Sequence, residues 1–172
     1  VEDMFDAILK LEQQGKTEEA IVEYTKLINI VPDSSVFYYN RGKAKRRLNN
    51  HDGAIEDYLT AIELDGDRVS YIVSLGVSYS YLDKIDDAIK AYQKAIKIEP
   101  YYAMSYYNLG GIYAKQKKYA EAIKLLETSL DCSPNYTKAM MALGDCYLDM
   151  GEMEKACDWF KKAEKAGDAK AF

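Results

Sequence analysis

Little in this chain is suited to chemistry. It holds one histidine, one tryptophan, three cysteines and three prolines in 172 residues. The histidine, His51, lies among Asn49, Asn50 and Asp52 with no nucleophile beside it. It reads as a solvated turn residue, and hydrolysis by a serine or cysteine triad has no local support. The cysteines, Cys132, Cys146 and Cys157, lack the two-Cys, two-His spacing of a zinc site. No glycine run has the form of a phosphate-cradling loop. Apolar runs extend only a few residues, so nothing reads as a membrane span. We therefore expect no catalytic residues, no metal and no cofactor.

What is present is material for a core. Hydrophobic residues make up 48% of the chain, which excludes a disordered chain of low hydrophobicity. Net charge is −5 and the isoelectric point about 5.0, without the long basic stripe that nucleic acid needs.

The strongest feature is a period. Ala20, Ala54, Ala88, Ala122 and Ala156 stand 34 residues apart, and Gly42, Gly76, Gly110 and Gly144 repeat the interval. Other positions follow: Met4, Tyr38, Ile72, Tyr106 and Met140; Ala7, Arg41, Leu75, Leu109 and Leu143; Leu11, Lys45, Tyr79, Tyr113 and Tyr147. These spacings make one helix face. A break follows at Gly15, Asn49, Asp83, Lys117 and Gly151. A second face then starts at the alanine and continues through Tyr24, Tyr58, Tyr92, Leu126 and Phe160. It stops at Pro32, Gly66, Pro100, Pro134 and Asp168, where proline cannot continue a helix. Each unit is predicted to be two antiparallel helices, with a small residue letting the backbones approach and an aromatic filling the gap toward the next unit.

Tyr106-Tyr107-Asn108-Leu109-Gly110-Gly111-Ile112-Tyr113 with Ala122 and Pro134, and Leu75-Gly76-Val77-Ser78-Tyr79 with Ala88, Tyr92, Ala95 and Pro100, resemble the tetratricopeptide repeat (TPR). The resemblance implies an all-α solenoid, a right-handed superhelix of antiparallel helix pairs. Its five tandem repeats are expected at 1–34, 35–68, 69–102, 103–136 and 137–168. Residues 169–172 then begin a capping helix or a truncated sixth repeat. The stretch Cys157-Asp158-Trp159, Lys161-Lys162-Ala163 and Gly167-Asp168 resembles the last repeat of many bacterial members of the family. Departures include Ile8 in a glycine position and Lys45 in a tyrosine position, and both are expected to weaken their repeats locally.

The register also sorts residues that invite other readings. Cys157 and Cys132 fall in positions held elsewhere by isoleucine or leucine, so the cysteines read as core residues. The alternative is a Cys146–Cys157 disulfide, which requires Cα atoms within about 7 Å. Trp159 reads as a lid over the end of the stack, or as a contact for a second copy together with Phe172. A chain that starts at Val1 leaves open the cytoplasm and, if a leader has been removed, an exported location.

In this family the first helices line a groove. By analogy, repeat two contributes Tyr39, Asn40, Lys43, Arg46 and Arg47. Repeat three adds Val73, Ser74, Val77 and Tyr81; repeat four Met104, Tyr107, Asn108 and Lys115; repeat five Lys138, Met141 and Asp145. Tyrosine is a rigid, amphipathic anchor and asparagine can donate and accept to a peptide backbone. The carboxylate clamp of TPR co-chaperones is rejected: of Val73, Val77, Asn108, Lys138 and Ala142 only Asn108 and Lys138 match. The basic run Arg41, Lys43, Lys45, Arg46 and Arg47 reads first as a solvated face, then as a contact for an acidic peptide, and last for nucleic acid. The expected function is a protein-interaction scaffold that binds a peptide or helical segment of a partner, an acidic segment being the one the basic run would suit, with no nucleic acid and no membrane span. The alternative is a self-associating structural solenoid, a monomer or weak end-to-end dimer through Trp159 and Phe172, or the repeat portion of a larger protein.

Overall fold

The computed structural model describes residues 2–168. Ten helices follow one another: α1 Glu2–Gln13, α2 Thr17–Ile30, α3 Ser35–Arg47, α4 His51–Asp65, α5 Val69–Tyr81, α6 Ile85–Ile98, α7 Ala103–Lys115, α8 Tyr119–Cys132, α9 Thr137–Asp149 and α10 Met153–Asp168. No strand occurs among the described residues. Phe172 and the expected cap at 169–172 lie outside them.

The break in each repeat is a helix stop of one design. Gly15, Asn49, Asp83, Lys117 and Gly151 all take positive φ, between 58° and 80°. The residue after each donates its N–H to the carbonyl five residues back: Lys16 to Leu11, Asn50 to Lys45, Lys84 to Tyr79, Lys118 to Tyr113 and Glu152 to Tyr147, at 2.9–3.0 Å. That 6→1 bond satisfies a carbonyl left over at the helix end and turns the chain back.

The chain forms two compact units that divide within α6, between Ala91 and Tyr92. In the first, Ile8, Ala20, Tyr24, Leu27, Ile28 and Phe37 form one cluster, and Ala54, Ile55, Tyr58 and Leu75 another. Tyr24 and Tyr58 are fully buried. Burying such a ring is worth roughly 1.5–3 kcal/mol. In the second, Ala122, Leu126, Ala139, Leu143 and Cys146 form the core, with Trp159 packed against it.

The periodic glycines mark where two helices touch. A Cβ on Gly42 would sit 2.7 Å from Tyr58 Cε1, and one on Gly144 would collide with Phe160. In both pairs the glycine is the hole and the aromatic one helix later is the knob.

Three expectations need correction. Cys146 is buried, but Cys132 is only partly buried and Cys157 is exposed; all three are free thiols. His51 is not solvated. It is 8% exposed as the first residue of α4, and its ring stacks on Tyr81 at 4.6 Å with 10° between planes. The turn faces the end of α5, which sequence spacing alone did not show. Lys45, finally, does not leave a flaw in its tyrosine position, as the next section describes.

Candidate functional site

The first unit presents α3 and α5 side by side. Tyr39 of α3 and Tyr71 of α5 pack at 4.6 Å with their rings tilted by 34°, Tyr39 also meets Tyr58 at 5.8 Å, and the Ser35 and Tyr71 hydroxyls lie 3.2 Å apart. Tyr39 therefore serves first as the joint between helices, and only part of its ring faces outward. Lys43 holds its ammonium 5.3 Å from the centre of that ring, close enough for a cation–π attraction.

The basic run of α3 is largely spoken for. Arg41 Nε donates to Asp57 Oδ2 at 3.0 Å and Nη2 to Oδ1 at 2.7 Å, while Lys45 Nζ lies 2.9 Å from Oδ2. Asp57 is buried. Arg47 pairs with Glu12. Of five cations, Lys43 and Arg46 alone have no carboxylate partner among the described residues. Burial raises the pKa of the Tyr58 hydroxyl to about 12, and the nearby Arg46 guanidinium opposes the rise. Asp57 went unnoticed in the sequence. The signal was there: Arg41 in a leucine position and Lys45 in a tyrosine position occur together in the repeat that carries it.

The remaining predicted residues of this unit divide by exposure. Asn40, Ser74 and Val77 are half-buried, Tyr81 is 69% exposed, and Val73 is buried with 2% exposure. Val73 has almost no surface to give a ligand, because its helix position turns it into the core.

In the second unit, Tyr107 meets Tyr136 edge to face at 5.3 Å. Burial, with Tyr107 and Tyr102 nearby, raises the Tyr136 hydroxyl to about 12. Asn108 is half-buried and its Nδ2 has no hydrogen-bond partner. Met104 and Met141 are exposed at 41% and 46%, and Lys115, Lys138 and Asp145 are exposed. Trp159 is half-buried, with Lys162 Nζ 4.0 Å from the centre of its ring.

Family models described as tetratricopeptide repeat match residues 35–67 and 101–167, and one described as TPR repeat matches 11–48 and 76–117. Together they span most of the chain. It belongs to the tetratricopeptide-repeat family. No curated protein matches it. Among solved structures, MamA is 28% identical, with a TM-score of 0.76 over 94% of this chain and 95% of that one. PilF of Pseudomonas aeruginosa, 20% identical, gives a TM-score of 0.82 over 96% and 75%. YrrB, described as a TPR protein with an unusual peptide-binding site, gives 0.67 at 18% identity over 98% and 91%. At such identities PilF and YrrB speak for the fold alone. The chain is thus an all-α TPR solenoid, and a bacterial source fits these neighbours.

Proposed function

We propose that this TPR chain is a non-catalytic interaction module that binds a peptide or helical segment of another protein on the faces of its first helices. One observation carries the reading. Tyr81, Met104 and Met141, on α5, α7 and α9, are large apolar side chains left exposed where burial would have been favourable. Side chains able to bond a peptide backbone are carried on the first helices of each unit, Asn40 and Ser74 on α3 and α5 in the first and Asn108 on α7 in the second. The two unpaired cations of α3, Lys43 and Arg46, favour a segment that carries acid. YrrB, a neighbour in fold, is described as having a peptide-binding site, which is consistent with this reading.

Selection of peptides from a random display library against the whole chain tests it. Selected peptides that occupy the second unit are expected to lose about tenfold or more in affinity when Asn108→Ala and Met141→Ser are combined, and those that occupy the first when Tyr81→Ser is introduced, with each variant still helical by circular dichroism. Peptides that bind all these variants as they bind the parent would sink the assignment. Self-association through Trp159 has less to draw on, because that ring packs against the core of the second unit and the Lys162 ammonium lies 4.0 Å from its centre.

A further inference from the structure

Equivalent positions on α3 and α5 differ in one consistent way. Asn40 corresponds to Ser74, Lys43 to Val77, Arg46 to Ser80 and Arg47 to Tyr81, each one period apart. One step sideways across the first unit thus leads from cations to neutral and aromatic side chains. Indeed α3 carries five cations and no anion, and α5 carries no charge at all. The pairing described above removes three of the five, so the charge left for a ligand is concentrated on Lys43 and Arg46. Lys43 is already ordered over Tyr39, which lowers the entropy it would lose on binding.

The spacing of the two helices gives this surface a ruler. Cα atoms of α3 and α5 come within 8 Å of one another, and packed helices lie about 8–10 Å apart. In an extended polyproline-type segment, side chains three residues apart point the same way and stand about 9 Å apart. A β-strand offers the same face at about 7 Å or 13 Å, one below and one above the usual interaxial range. A bound helix would need a separation of about seven residues. The polar side chains decide between these. Asn40 and Ser74 fall in the same register row beside the cations, and only an extended segment leaves its own N–H and C=O groups free to bond them.

We infer that the α3–α5 face recognises an extended acidic segment in which a Glu or Asp seats on Lys43 and Arg46 and an aromatic or aliphatic residue three positions away seats on Val77 and Tyr81. This rests on the peptide-binding reading and makes it specific. The acid gains charge-assisted hydrogen bonds. The apolar residue covers the exposed face of the Tyr81 ring, whose other face lies on His51.

The test uses fluorescein-labelled peptides of about twelve residues, Gly-Ser-Pro in background, with one Glu and one Phe separated by two, three, four or seven positions. Fluorescence polarisation against the whole chain is expected to show the three-position peptide binding about tenfold tighter than the others, and more weakly as salt rises. Lys43→Glu should remove that preference and transfer it to a Lys peptide of the same spacing, with the melting temperature unchanged. Tyr81→Ser should weaken binding of the Phe peptide to the level of one bearing Gly there. Tightest binding at seven positions, indifference to Lys43→Glu, or an oligothymidylate that outcompetes every peptide at this face would each overturn the inference. If the display library yields peptides that bind but lack this spacing, the inference fails and the interaction reading stands. If neither library nor panel yields a binder, both fall.

Discussion

Arg41 grips the buried carboxylate of Asp57 through two hydrogen bonds, across the pair formed by α3 and α4. Lys45 shares the second carboxylate oxygen and also reaches the Gly53 carbonyl at 3.3 Å. Two departures from the repeat pattern are therefore compensated by a third residue, and the compensation is ionic where neighbouring repeats are apolar. Such a triad is strained only if one member is missing, because an uncompensated charge is then left away from water.

Asp57→Ala is accordingly expected to destabilise the first unit by about 3–5 kcal/mol. Installing Leu at 41, Tyr at 45 and Ala at 57 together, the residues that the next repeat carries as Leu75, Tyr79 and Ala91, should recover most or all of that loss. Urea denaturation of the single and triple variants compares the two. A triple variant as unstable as Asp57→Ala would show that the ion triad contributes something that apolar packing does not replace.

Lys117 occupies the left-handed turn with φ 59°, a conformation that costs a residue with a Cβ roughly 1–2 kcal/mol and glycine nothing. The side chain is exposed. Lys117→Gly should raise the denaturation midpoint by the equivalent of up to ~1 kcal/mol, part of the gain being lost to the greater freedom of glycine in the unfolded chain. A lower midpoint would mean that Lys117 makes a contact worth more than the strain.

Gly144→Ala should cost about 1–3 kcal/mol, since the added methyl overlaps Phe160 and has no room to relax in a packed helix pair. Pairing it with Phe160→Leu tests the cause. The double variant should lose less than the sum of the singles, whereas simple additivity would place the damage elsewhere.

Alkaline pH should loosen the fold at a defined place. Tyr58 and Tyr136 are raised from 10.0 to about 12 by burial, and Tyr24 is raised further. Between these limits the folded chain holds protons that the unfolded chain has released, so stability is full below pH 10 and falls as pH rises toward 12. Circular dichroism in urea at stepped pH follows this. Tyr136→Phe, which cannot ionise, should flatten the slope; an unchanged slope would assign the loss to other groups.

The repeat length, the helix pairs and the five turn positions were all legible in the sequence, whereas the aromatic expected to face the next unit packs on the glycine of its own repeat, Tyr58 on Gly42 and Phe160 on Gly144. A period of 34 imposes the same local geometry each time, and local geometry depends on residues a few positions apart. Tertiary structure decided what the period could not: that Asp57 takes Arg41 and Lys45 out of the surface, that Glu12 takes Arg47, that His51 lies beneath Tyr81, and that Val73 turns inward while Cys157 turns outward. Each of these depends on which side chains of different helices meet, and charge and burial at a contact are set by the partner as much as by the residue itself. The sequence alone thus determined the architecture; the folded chain reduced a broad basic run to Lys43 and Arg46, the two cations of α3 without a carboxylate partner among the described residues.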